Sequence, residues 1–433
     1  MMTRIHHDEP VRLIQGRLMI DPARTPEFGW IRVEDGRIAE MGEGDPPRDL
    51  GLPDVGGREC VISPGFIDAH FHVPQIDSVG CDGMELLSWL NEVVFPAEAW
   101  WGKGGAIPAA RTAARRLLEQ GTFGVAAYLT SHAAASREAF DWLATRTRLR
   151  FIAGRVAMDR EAPEELTRED RERAKLRPPV SVALPMEMDD ARRRVSVNPR
   201  FAISCSDELL AEVGWFVKER SHPPAAAPWV QTHLSETLAE CTRVAELFRH
   251  LGDRTYTAVY DQFGLLTART LLAHGVHLSA SEWELIAERR SILVHCPGAN
   301  LFLRSGFFDL EAANDHGVRV ALGSDVAGGP DVAMPRVARA MIETAKIREM
   351  HGAKVRIPTP AEAWRLITRG NADLLEWPET GRLERGAAAD VLLLRVPETW
   401  HDRHLVGRLI YNWSAGLIEA RILDGRLIDP ARI

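Results

Sequence analysis

The chain has 433 residues, 45% of them hydrophobic, with 53 lysines and arginines against 61 acidic residues and a net charge of −8. Charges of both signs are mixed along it, with no basic tract or stripe, which argues against nucleic-acid or membrane binding. No uncharged apolar run reaches the length of a membrane span, "MMTRIHHDEPVRL" lacks an apolar signal core, and five scattered cysteines without C-x-x-C suit a reducing cytoplasm better than a disulfide framework.

The first segment, residues 1–63, contains "GWIRVEDGRIAEMG", a β-type stretch interrupted at Asp35-Gly36. Asp-Gly is a strong signal for a tight turn between strands. A different grammar then begins: apolar, β-prone runs that end in polar residues. In order they are "GFIDAHFH", "FGVAAYLTSH", "RFIAGRVAMD", "RFAISCSD", "WVQTHLSE", "TLLAHG", "SILVHCPG" and "VRVALGSD". Helical patterns separate many of them, such as "PAARTAARRLLEQG", "DELLAEVGWFVKER" and "TLAECTRVAELFRHLG". Thr237 and Glu240 have capping-box spacing at the start of the last one. The final segment, residues 376–433, repeats the opening signal in "IEARILDGRLIDP", with Asp424-Gly425.

Strands alternating with helices predict a parallel sheet. Eight such units predict an α/β fold, a closed (β/α)8 TIM-like barrel over residues 64–375, with its site at the C-terminal ends of the strands. Residues 1–63 and 376–433 are predicted to join as one small, discontinuous β-sandwich domain. Residues 160–199, with "REDRERAKLR" and "RPPVSVALPMEMDD", break the grammar and read as a long loop near the barrel mouth, with or without a short helix.

The polar run ends gather chemistry. His70 and His72 end the first run, His233 the fifth, His274 the sixth, His295 the seventh and Asp325 the eighth. Strand positions i and i+2 point the same way, so the two imidazoles of "HFH" can converge on one ion. His233 and Asp325 can complete its ligand set from other strands. Three nitrogens and one carboxylate oxygen suit Zn2+, with Fe2+ or another divalent metal as the alternative. Glu236, three residues after His233, reads in two ways: a negative charge favourable to a helix N-terminus, or a proton carrier beside a metal-activated water. Trp89 reads as a wall of the pocket or as core, with core favoured.

The ensemble resembles the amidohydrolase superfamily and, within it, the guanine deaminase family. The resemblance rests on "PGFIDAHFHVPQ", "LLSWLNEVVFPAE", "NPRFAISCSDELL", "QTHLSET", "LLTARTLLAHGVHLS", "HCPGANLFLRSGFF" and "LGSDVAGG". It implies zinc-dependent hydrolysis of guanine to xanthine and ammonia in purine catabolism, by a cytoplasmic homodimer. By position it makes His70, His72, His233 and Asp325 the zinc ligands and Glu236 the proton shuttle. It has Asp325 take a proton from the attacking water while His274 positions that water. Gln75, Arg200 and Phe201 fall at base-recognition positions. Guanine offers O6 and N7 as acceptors along one edge, arginine has only donors, and adenine places a donor where guanine has O6. The rivals are a related aminohydrolase acting on a pterin, 8-oxoguanine or an aminotriazine, and a catalytically silent scaffold of the same fold. The chain departs from the family pattern at Asn198, at Ser324 and across the Pro-rich part of 160–199.

Overall fold

The computed structural model describes residues 7–175, 190–221 and 227–433. Four strands open the chain: β1 (Leu13–Leu18), β2 (Glu27–Glu34), β3 (Arg37–Glu43) and β4 (Val55–Pro64). Then come β5 (Phe66–His72), β6 (Thr122–Tyr128), β7 (Arg150–Gly154), the two-residue β8 (Val156–Ala157) and β9 (Arg193–Pro199). Next are β10 (Trp229–Leu234), β11 (Thr270–His274), β12 (Ile292–His295) and β13 (Arg319–Leu322). Last are β14 (Val391–Arg395), β15 (Ile418–Leu423) and β16 (Arg426–Leu427).

Strands β5 to β13 pair in parallel and in chain order, with β8 extending the pairing of β7 onto β9. The ring closes just beyond β13. Asp325 N donates to His70 O at 2.8 Å and His72 N to Val326 O at 3.2 Å. Gly323 permits that approach, because a Cβ there would lie 2.6 Å from the Cβ of His70. Strands β5 and β6 are buried at every position, as continuous apolar runs are in a sheet covered on both faces. The helices follow the sequence patterns: Ala106–Glu119, Asp207–Glu219 and Leu238–Leu247. The last opens with the capping box of Thr237 and Glu240.

The fourth strand departs from expectation. It is β9, "RRVSVNP", and not "RFAISCSD", whose Ala202–Ser204 forms a 3-10 turn beyond the strand end. Arginines at its start conceal the β-prone Val-Ser-Val core from a hydropathy reading. Their heads find partners: Arg194 donates to the carbonyls of Leu375 and Glu376 at 3.1 and 2.9 Å. The segment 160–199, expected as a loop with or without a short helix, does carry a helix, Glu164–Arg173, and departs from that expectation in ending as β9. The proline-rich stretch lies largely outside the described residues.

The chain ends form one seven-stranded sheet, in the order β16-β15-β14-β4-β1-β2-β3. Ile31, Val33 and Ile38 near one edge share an apolar cluster with Ile422 and Leu427 near the other, so the sheet folds over on itself. The expected sandwich is thus a single continuous sheet. Its two Asp-Gly turns have positive φ at all four residues (49° and 74°, then 60° and 70°), as the tight hairpin turn requires. They also touch: a Cβ on Gly425 would lie 2.9 Å from the Cα of Gly36.

This sheet is tied to the N-terminal ends of the barrel strands by buried charge. Arg150, the first residue of β7, donates to Asp390 at 3.2 Å and to Glu379. Asp390 also accepts from the Thr380 hydroxyl and the Asp424 amide, each at 2.8 Å. Among the described residues no helix is long and apolar enough to cross a membrane.

Candidate active site

The C-terminal ends of the barrel strands bring the sequence-predicted site residues together at one cavity, which all but His70 line; His70 lies behind it, against His72, His233 and Asp325. His70 and His72 come from the end of β5, His233 from β10, His274 from β11, and Asp325 from the turn after β13. His72 Nε2 lies 3.2 Å from His70 Nε2 and 3.1 Å from His233 Nε2. Asp325 Oδ1 lies 3.1 Å from His70 Nε2 and 3.4 Å from His72 Nε2.

This set fits a divalent metal, on two grounds. His233 donates Nδ1–H to the Arg200 carbonyl at 2.7 Å, which leaves Nε2 as a lone pair pointing inward. Burial pushes His72 down to about 3 and, with the neighbouring imidazoles, holds His233 well below its ordinary value. Neutral nitrogens packed this closely repel unless a cation lies between them. Burial opposes ionisation of Asp325, but His70, His72 and His274 outweigh it and hold the carboxyl well below the usual range. A charged carboxylate beside three buried imidazoles, two of them held neutral, is a metal-binding donor set. His274, Cys296 and Asp325 also lie close together. Burial drives the Cys296 thiol well above its ordinary value, which makes it a poor ligand.

Glu236 stands beside this set and is fully buried. Burial, then the charge of Asp325, raises its carboxyl to about 8 against the pull of a Ser305 hydroxyl donated at 2.9 Å. Its Oε2 is 3.4 Å from His274 Nε2, which is 3.7 Å from Asp325 Oδ2. The three groups converge on one point without saturating one another. His274 Nδ1 is paired with Asn300 Oδ1 at 2.9 Å, which fixes its ring. His274 and Asp325 have φ of 73° and 52°, a left-handed conformation disfavoured for residues with a Cβ. Such outliers gather at functional sites.

The other half of the cavity holds Gln75, Arg200 and Phe201, all buried and all lining it. Trp89 lines it too, while packing in the main apolar cluster, so the core reading was incomplete. His295 stays out of the metal set and stacks on Phe308 with centroids 4.7 Å apart. The two single-residue departures have local reasons. The Ser324 hydroxyl donates to buried Asp68 at 2.5 Å, which pins the turn carrying Asp325. Asn198 Nδ2 donates to the Gly154 carbonyl at 2.9 Å and joins β9 to β7.

Sequence reasoning missed Asp68, Glu98, Asn300 and Ser305, which hold the site residues in place. Glu98 and Ser305 lie within motifs that carry the family resemblance, but their partners are distant in sequence. Glu240 was noticed only as half of a capping box. It also accepts the Glu236 amide at 2.7 Å and the Tyr256 hydroxyl at 2.8 Å.

Comparison with known proteins agrees with this geometry. Residues 61–427 match the model of the Amidohydrolase family. The guanine deaminase of Escherichia coli K12 is 30% identical over 421 residues, covering 95% of this chain and 90% of that one. The human guanine deaminase is 31% identical over 334 residues, covering 76% and 72%. The crystal structure of guanine deaminase from C. acetobutylicum with guanine in its active site superposes with a TM-score of 0.82, at 28% identity and 97% and 100% coverage. The chain belongs to the amidohydrolase family, and within it its sequence sides with the guanine deaminases.

Proposed function

We propose that this enzyme is a zinc-dependent guanine deaminase that hydrolyses guanine to xanthine and ammonia. The observation that carries the reading is one cavity with two halves: the three-histidine, one-aspartate set beside Glu236, and Arg200 with Gln75 and Phe201 facing it. In this reading His70, His72, His233 and Asp325 hold the zinc. When bound, the cation supplies Lewis-acid chemistry and makes a water acidic enough to attack near neutral pH.

The chain's own groups do the rest. Arg200 donates toward the O6 and N7 edge of the base, Gln75 adds a donor and an acceptor, and Phe201 offers an aromatic surface to the purine. Glu236, with its carboxyl raised to about 8, carries a proton near neutrality and gives it to a ring nitrogen as water adds to C2. Asp325, held ionised, takes a proton from that water. His274 orients the water through Nε2. The 2-amino group then leaves as ammonia with the proton held by Asp325, while the C2 hydroxyl returns a proton to Glu236 and becomes the carbonyl of xanthine.

The family resemblance adds a homodimer and a cytoplasmic location to the reading. All five cysteines are free, in keeping with a reducing compartment. Light scattering on the purified protein tests the dimer.

The deciding experiment combines metal analysis with a substrate panel followed by ultraviolet absorbance and ammonia release. Guanine should turn over, chelation should abolish activity, and added zinc should restore it. If metal-loaded protein leaves guanine untouched but consumes a pterin or an aminotriazine, the assignment is wrong.

A further inference from the structure

The helix Phe95–Trp100 carries a group that the chemistry above does not use. Glu98 is fully buried, at 0% exposure. Its Oε1 accepts from Arg200 Nη1 and, at 3.3 Å, from Gln75 Nε2. Glu98 does not line the cavity, whereas both of its partners do. Gln75 is also held at its other end, where Oε1 accepts from the Ala327 amide at 3.3 Å. Phe95, in the same helix, lies 5.6 Å from the Arg200 guanidinium. The Thr130 hydroxyl donates to the Glu98 carbonyl at 3.1 Å and anchors the helix beyond the end of β6.

Two consequences follow from this geometry. One carboxylate oxygen orients both polar side chains that face the base, so Arg200 and Gln75 are set as a pair. The same carboxylate also cancels the only formal charge in the base-facing trio of Gln75, Arg200 and Phe201. An uncompensated buried guanidinium is costly and attracts anions. Paired with Glu98, it acts on the base as a set of donors and not as a net charge. Guanine is neutral at neutral pH, whereas xanthine, an imide, readily loses a ring proton.

We propose that Glu98 is a positioning residue for base recognition: it aligns Arg200 and Gln75 and neutralises Arg200, so that the pocket favours a neutral lactam base over its more acidic, anionic product. This inference rests on guanine being the substrate.

The test is Glu98→Gln in the full-length, zinc-loaded enzyme, with metal content checked against wild type. The KM for guanine should rise about 10- to 100-fold, as for loss of a charge-assisted hydrogen bond, with kcat changed far less. Inhibition by xanthine at mildly alkaline pH should tighten, because the Arg200 charge is then unmatched. General distortion of the pocket would weaken both ligands together. An unchanged KM, or weakened xanthine inhibition, overturns the proposal. If Glu98→Gln does not fold, Glu98→Asp keeps the charge but withdraws the carboxylate. It should raise the guanine KM without tightening xanthine inhibition, and an unchanged guanine KM or tightened xanthine inhibition counts against the proposal. Wild-type enzyme that fails to deaminate guanine overturns the parent reading and this one together. Wild-type turnover with a silent Glu98→Gln overturns this one alone.

Discussion

At the start of β7, Arg150 meets Asp390 at 3.2 Å; at the end of β5, His70 and His72 face each other, Nε2 to Nε2, at 3.2 Å. Both contacts are buried, and both join polar groups. At the N-terminal end of the barrel, opposite charges are matched. Arg269 Nε donates to Glu376 at 3.0 Å, Arg194 to two carbonyls, and Asp390 accepts from Arg150, a hydroxyl and an amide. Around the metal set at the C-terminal end, imidazole is set against imidazole, and the Nδ1 of His72 and Nε2 of His274 are buried without a hydrogen-bond partner among the described residues. The first arrangement is complete by itself, each buried charge being matched within the fold. The second costs energy until a cation and a substrate complete it. Conserving stability at one end and chemistry at the other is what a barrel of this kind allows.

Substitutions should separate the two ends. The largest effect belongs to Glu236→Gln, which should lower kcat by about a hundredfold to ten-thousandfold while metal content stays at the wild-type level. Metal analysis and ammonia release on one preparation check it, and wild-type turnover would remove Glu236 from the mechanism. Next is Arg150→Met at the opposite end. Stranding Asp390 in the interior should lower the unfolding free energy by about 3 kcal/mol, with kcat and KM for guanine unchanged. Denaturant unfolding and steady-state kinetics read the two halves of that prediction. A fall in kcat without a fall in stability would show that the two ends are coupled.

The sequence makes the reactive end more legible than the matched end. His70 and His72 at i and i+2, and single ligands at later strand ends, form a repeating pattern that spacing reveals. Arg150 and Asp390 are 240 residues apart, and nothing local marks them as partners. The same distance hides Glu98 from Arg200, 102 residues away, although both lie in quoted motifs. The fourth strand was misplaced because its register depends on where its arginine heads find carbonyls, a tertiary matter. The turn Asp35-Gly36 was legible because its backbone conformation is dictated by those two residues alone.

His295 ends β12 much as His274 ends β11, yet it packs against the apolar interior and not with the metal set. It is buried and stacked on Phe308, and its Nδ1 has no hydrogen-bond partner among the described residues. Burial, then the charges of His274 and Arg348, push it down to about 3, so it is neutral in the folded chain at any ordinary pH. In the unfolded chain it takes up a proton below about pH 6.5. Between these limits the unfolded state binds more protons, so stability is full above pH 6.5 and is lost as the pH falls toward 3. His72 and His233 act in the same direction. His295→Phe keeps the aromatic stack and removes one proton from the balance. In metal-free protein, its unfolding free energy should therefore fall less steeply on acidification than that of wild type, by a difference that grows from about 0.7 kcal/mol per pH unit near pH 6.5 to about 1.4 near pH 5. Urea titrations between about pH 5 and 6.5 measure that slope. An identical slope in the two proteins would mean that His295 takes up its proton without unfolding, and would move it from the apolar wall to the reactive rim.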